Sequence, residues 1–171
     1  HIDVVLRTAA PAGRWRLVLH GREVVDGRLH AWIERDAGGR HQSRFPKRQA
    51  TSTYTTNTIC NSLRAIAVGA YDAEDARRPP TSFSSSGPTA DGRQKPELVA
   101  PGARIRAARS LPEGGWNGES RLTVKSGTSM AAPWVSGTVA LMFEAAGRPM
   151  TIHEVRRILV RSAEAPRRRR K

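Results

Sequence analysis

Between Arg121 and Ala146 a strand-like alternation, a tight turn and a long apolar helix follow one another without a spacer. Arg121-Leu122-Thr123-Val124 alternates polar with apolar residues, the period of a half-buried strand. Ser126-Gly127-Thr128-Ser129-Met130-Ala131-Ala132-Pro133 comes next, with a glycine suited to a tight turn. Met130 to Ala146 is then apolar and free of glycine except at Gly137. That succession places Ser129 in the first turn of a helix. There the unbonded N–H groups and the positive end of the helix dipole can stabilise a developing oxyanion. Ser129 therefore reads as a nucleophile, with a plain helix cap as the ordinary alternative for any serine so placed.

Two more blocks stand upstream in a fixed order. Ile66-Ala67-Val68-Gly69-Ala70-Tyr71-Asp72 has a short apolar core suited to a strand buried on both faces. Thr81-Ser82-Phe83-Ser84-Ser85-Ser86-Gly87-Pro88-Thr89 leads through Asp91-Gly92-Arg93-Gln94-Lys95-Pro96 into Glu97-Leu98-Val99-Ala100-Pro101-Gly102. With the serine block, these resemble the subtilisin-like serine proteases (subtilases) over about residues 59–165. The resemblance implies an α/β fold, here the C-terminal part of a parallel-sheet catalytic domain. It makes the chain part of a serine endopeptidase acting on polypeptides. Ser129 would be the acyl nucleophile, and its own N–H half of the oxyanion hole.

The family orders its triad as Asp, His, Ser, with an oxyanion asparagine between the last two. Neither acid–base block is found here. Asp3 has Val4 after it rather than Thr or Ser, and His20-Gly21-Arg22 shares only a dipeptide with the histidine block. His30, His41 and His153 lie in no matching context, and no Ala-Gly-Asn-like block occurs. The chain begins with His1 and shows no leader peptide. The expectation is a C-terminal fragment whose triad Asp, triad His and oxyanion Asn are supplied by an upstream part of the same protease. A serine hydroxyl is a poor nucleophile without a positioned base, so the chain alone is expected to be nearly inactive. The alternative is a noncatalytic subtilase homologue that keeps the fold as a scaffold or binding protein.

No apolar run approaches the roughly 18 residues of a membrane-spanning helix. The net charge of +14 raises nucleic-acid binding as a third reading. The charges are scattered, however, and the one dense run is Arg167-Arg168-Arg169-Arg170-Lys171, so no specific nucleic-acid partner is expected. Cys60 is the single cysteine and excludes an intrachain disulfide; it reads as a small buried hydrophobe. No Cys/His/Asp/Glu cluster has metal spacing, and no cofactor is indicated. Calcium enters only because subtilases often bind it. The sequence leaves localisation open, with an extracellular or cell-envelope site implied by resemblance alone.

Residues 1–58 differ in texture. Trp15, Leu17 and Leu19 alternate with Arg14, Arg16 and His20; Asp26-Gly27 is a turn signal; Leu29, Ala31 and Ile33 alternate with His30, Trp32 and Glu34. This predicts antiparallel β structure, closed by Asp36-Ala37-Gly38-Gly39. It resembles the end of a jelly roll inserted in some subtilases, with Trp15 and Trp32 as core or interface anchors. Residues 42–57 read as the connection back to the catalytic part, 59–165 as that part, and 166–171 as a disordered basic tail. Strands are predicted at 65–68, 98–102 and 104–108, and a surface loop carrying Trp116 at 111–120. The serines at 84–86 have no base near them in sequence and suit backbone satisfaction in a turn. Pro133 fits near a helix start, where donors are free. So apolar a helix is expected to be buried, with Trp134 standing where many family members carry histidine. Gly147 and Pro149 end it. Thr151-Ile152-His153-Glu154 is a capping box opening a second, amphipathic helix, with His153 a surface residue on its first turn. If neighbouring strands lie upstream, apolar faces of 65–68 and of the first helix should be exposed.

Overall fold

The apolar stretch after Ala65 is extended in the computed structural model, which describes residues 4–5, 11–33, 43–110, 118 and 120–164. β1 (Val68–Tyr71) runs parallel to β2 (Leu98–Pro101), with Val68 opposite Leu98 and Tyr71 opposite Pro101. β3 (Ile105–Ala108) and β4 (Leu122–Lys125) form a separate antiparallel pair. α1 (Thr128–Ala146) and α2 (Ile152–Ser162) follow. The chain divides into two compact units, residues 1–45 and 46–171, and all these elements lie in the second. The architecture is α/β.

The core is small and built on alanine. Ala70 of β1 and Ala131 of α1 are fully buried, joined by Ala100, Val135, Val155 and Leu159. Small side chains let α1 approach the sheet closely, and the stripe Ala131, Val135, Val139, Met142 follows helical spacing. The rest of α1 is not covered. Trp134 is 55% exposed and Leu141 65%, so the expected full burial gives way to burial along one face. One layer of two short parallel strands can cover only one stripe of a helix this long. Apolar exposure on α1 is thus present, as are exposed Ile158 and Val160 on α2, whereas the expected exposed face at 65–68 is not: Ala67 is buried and Ile66 and Val68 are half-buried.

β1 begins three residues later than the predicted strand at 65–68, and side chains supply the reason. Glu97 Oε2 accepts the Ala67 N–H at 2.8 Å. The Ala65 carbonyl accepts from Lys95 Nζ at 3.1 Å and from Arg156 Nη2 at 3.1 Å. The Ala67 N–H and the Ala65 carbonyl are thereby satisfied by side chains, while the Ala67 carbonyl takes the Glu97 N–H at 3.1 Å. Lys95 and Glu97 are themselves buried and meet at 2.5 Å, with Arg156 Nε 3.3 Å from the same carboxylate oxygen. The arginine contact is a charge approach rather than a well-aligned hydrogen bond, since Nε has no bonding acceptor.

Gly147 ends α1 in the left-handed conformation at φ 59, donating to the Phe143 and Glu144 carbonyls. α2 opens on the predicted capping box: Thr151 Oγ1 accepts from Glu154 N, and Glu154 Oε2 accepts from Thr151 N. Pro133 is the correction here. It lies in the second turn of α1, so the N–H it lacks is the one that would reach the Ser129 carbonyl.

The first unit departs from expectation. Residues 11–33 contain no paired strand, and the antiparallel β predicted there is not formed among the described residues. At the Asp26-Gly27 turn signal the Asp26 carboxylate instead takes the Arg28 N–H at 3.0 Å and its guanidinium at 2.6 Å. That local bonding competes with a ladder. Trp15 and Trp32 are exposed rather than core anchors; Trp15 Nε1 donates to the Pro11 carbonyl, and the Trp32 ring stacks on His30 at 5.6 Å. Thr55 N donates to the Ser86 carbonyl at 2.8 Å, tying that stretch to the second unit. Asp36–Gly39, Trp116 and the tail 166–171 lie outside the described residues.

Replacing Lys95 with Met leaves the Glu97 carboxylate buried without its nearest cation. Urea unfolding of K95M should show a loss of about 3 kcal/mol, and K95M/E97Q together should lose less than the sum of the singles. Arg148, then the Thr151 N–H and hydroxyl, hold the Glu154 carboxyl down from 4.5 to about 2. A depressed carboxyl stabilises the fold above its unfolded value, and that contribution fades as pH falls from about 4.5 toward 2. Acid titration of the thermal midpoint should therefore show a steeper fall for the native chain than for E154Q in that window.

Candidate active site

Ser129 is the second residue of α1, and its side chain is exposed. Among the described residues nothing bonds its hydroxyl, and the N–H groups of Thr128 and Ser129 have no backbone acceptor. Met130 N is the first to turn inward, onto the Gly127 carbonyl at 3.0 Å. An exposed hydroxyl thus stands beside unsatisfied donors at the positive end of a 19-residue helix. This is the arrangement expected at a site where negative charge develops on an acyl oxygen.

What fixes Ser129 is the turn that precedes it. Gly127 N donates to the Gly102 carbonyl at 2.8 Å, and Gly102 N donates to the Tyr71 carbonyl at 3.0 Å. The ends of β1 and β2 therefore hold the helix entrance directly. Gly102 must be glycine: a Cβ there would lie 2.5 Å from the Ala70 Cβ and 3.0 Å from the Gly127 carbonyl oxygen. The ladder of β3 and β4 begins at Ile105 opposite Lys125, so Arg104 and Ser126 lie just beyond its end, ahead of Ser129. Arg104 takes the left-handed conformation at φ 53, and its N–H donates to Ser126 Oγ at 2.9 Å.

The Arg104 guanidinium reaches back to the segment after β1. Nη2 contacts both Asp72 oxygens at 2.7 and 2.8 Å, and Nε meets Glu74 Oε2 at 2.6 Å. The Arg104 hydrogen bonds hold the Asp72 carboxyl below its ordinary range, and the two acids raise the Arg104 guanidinium. Arg77 does the same to Asp75, chiefly through its side-chain bond. These acids are therefore neutralised by arginine. Among the described residues no three His, Cys, Asp or Glu gather as a metal-holding group.

The remaining sequence candidates separate cleanly. His153 is exposed on the first turn of α2, His20 and His30 belong to the other unit, and none bonds Ser129; His41 and Asp3 lie outside the described residues. Trp134 faces outward, so the change from the family's histidine does not fill space beneath the nucleophile. Ser84 accepts the Ala70 N–H at 3.0 Å, and Thr81 N donates to the Ala70 carbonyl at 2.9 Å, which is the backbone satisfaction expected of that loop. Next to the turn, a pocket of about 80 Å³ is lined by Thr128, Ala67, Gly69, Asn57 and Cys60 among others. Cys60 is half-buried in its wall rather than deep in the core.

The Subtilase family model matches residues 33–170. Serine protease AprX of Bacillus subtilis is 36% identical over 109 residues, covering 57% of this chain and 24% of that protein. Pyrolysin of Pyrococcus furiosus is 52% identical over 64 residues, covering 37% of this chain and 4% of that protein. The extracellular basic protease of Dichelobacter nodosus is 36% identical over 111 residues, 63% of this chain and 16% of that one. The chain therefore spans a quarter or less of the length of these relatives.

Introducing a methyl group at Gly102 should push α1 off the sheet. Gly102→Ala should lower stability by about 1–3 kcal/mol in urea unfolding, an overpacking cost that an added methyl on an exposed helix position such as Gly137→Ala does not incur.

Proposed function

The chain belongs to the subtilase family, and on that premise we propose that it carries the acyl nucleophile of a serine endopeptidase. The observation behind this reading is the exposed, unbonded Ser129 hydroxyl beside free N–H groups at the entrance of α1. Ser129 Oγ attacks the carbonyl carbon of a peptide bond, and the new oxyanion is received by the Ser129 N–H. The histidine that takes the hydroxyl proton, the aspartate that orients it and an asparagine completing the oxyanion hole come from a part of the protein outside these 171 residues. In support, the chain matches only a limited stretch of proteases much longer than itself. The substrate is polypeptide. A relative named as an extracellular protease supports an extracellular or cell-envelope site of action. Among the described residues no helix is long and apolar enough to cross a membrane.

The free hydroxyl also has a second reading, a homologue retained for binding, because among the described residues no histidine touches it. Phosphonofluoridate labelling separates the two, since only an activated serine reacts rapidly. The whole protein should label at Ser129, with Ser129→Ala unlabelled. The 171-residue chain alone should react slower by at least ~10³-fold, in keeping with losses on the order of 10⁴–10⁶ in turnover when subtilisin loses triad members. Failure of the whole protein to label would favour the binding role.

A further inference from the structure

We infer that Arg104 is a positioning residue for Ser129: Asp72 and Glu74 clamp its guanidinium so that the left-handed turn it occupies sets the pitch of the segment carrying the nucleophile. This rests on the reading of Ser129 as a nucleophile.

Three observations converge on it. First, Arg104 sits in the unpaired step between β2 and β3, where the strand pair hands over to the helix, next to Ser126. Second, Arg104 holds a left-handed backbone, φ 53, that glycine or asparagine adopts far more readily than arginine. Such a conformation persists only when its surroundings hold it. Third, the surroundings are visible. Asp72 grips Nη2 with both oxygens, and Glu74 takes Nε. Through its main chain the same residue donates to Ser126 Oγ, three residues ahead of Ser129. Carboxylates at the end of β1 thus reach the nucleophile's turn through a single arginine, without touching the reacting atoms.

Two features separate this from ordinary surface pairing. The neighbouring Arg77–Asp75 pair closes on its own loop two residues away and reaches no other element. Arg104 instead spans 32 residues of sequence to Asp72 and bonds the turn before α1 with its main chain. Its guanidinium is about half exposed, so its contribution to global stability should be slight. Small displacements of a nucleophile, by contrast, weigh heavily on rate.

The test uses the whole protein, with peptide hydrolysis and phosphonofluoridate labelling measured beside thermal unfolding. Asp72→Asn, Arg104→Gln and Ser126→Ala should each lower kcat and the labelling rate about tenfold or more, with KM and the unfolding midpoint nearly unchanged. Arg104→Lys, which keeps a cation between the acids, should recover part of the rate. Asp72→Asn with Ser126→Ala should fall no further than either alone, because both break one chain of contacts. Arg77→Gln should leave rates at the native level. If native protein labels at Ser129 and the variants label equally fast, or if their losses only follow unfolding, the positioning role is overturned while the nucleophile stands. If native protein does not label at all, both fall.

Discussion

The contact on which this structure depends is the meeting of Ala70, Gly102 and Ala131, where β1, the turn after β2 and the first turns of α1 come together. No bulk separates them: a Cβ on Gly102 would lie within 2.5 Å of Ala70 and 3.3 Å of Ala131. That closeness lets the Gly102 carbonyl take the Gly127 N–H while its own N–H binds Tyr71. Two hydrogen bonds around one glycine thereby fasten a helix entrance to a parallel sheet edge. With larger side chains the helix would stand off, the donor of Gly127 would lose its acceptor, and Ser129 would move with it. Close packing here does for orientation what a bigger core does for stability.

Charge has the second role, and it is local. A chain with net charge +14 has arginine to spare, and the structure uses several of these residues as main-chain ligands and bridges. Arg156 binds the carbonyls of Leu63 and Ala65 while approaching Glu97, and Arg93 reaches the Asn61 carbonyl at 2.8 Å. The planar guanidinium suits this, offering several donors at fixed angles to carbonyls that have no strand beside them. Basic composition is thus partly absorbed by the fold, which weakens the inference from net charge to a polyanion partner.

Legibility in the sequence followed how local each determinant is. The capping box of α2, the glycine end of α1 and the strand–turn–helix around Ser129 are set by neighbours within a few residues, and Thr151, Gly147 and Ser129 occupy the N-cap, C-cap and first-turn positions expected of them. β1 was misplaced by three residues because its start is decided by Lys95, Glu97 and Arg156, all distant in sequence. The left-handed turn at Arg104 left no trace, since neither glycine nor asparagine marks it. In residues 11–33 alternation was a poor guide: it describes a face, but a strand also requires a partner, and Asp26 spends its turn on Arg28.

Nucleophile geometry and nucleophile activation are separable in this molecule. Every bond that places Ser129 described here comes from residues 70–131: Tyr71, Asp72, Glu74, Gly102, Arg104, Ser126 and Gly127. None of them can take a proton from a serine hydroxyl near neutral pH, because the acids are engaged by arginine and the rest are main-chain groups or a hydroxyl. Under the proposed reading, the helix entrance supplies orientation and oxyanion donors, and the base comes from another segment. Such a division suits a reaction whose electrostatic stabilisation must be rigid before substrate binds. It also means that damage to the turn and damage to the base should leave different kinetic marks: the first misaims a hydroxyl that can still be deprotonated, and the second leaves a well-aimed hydroxyl inert.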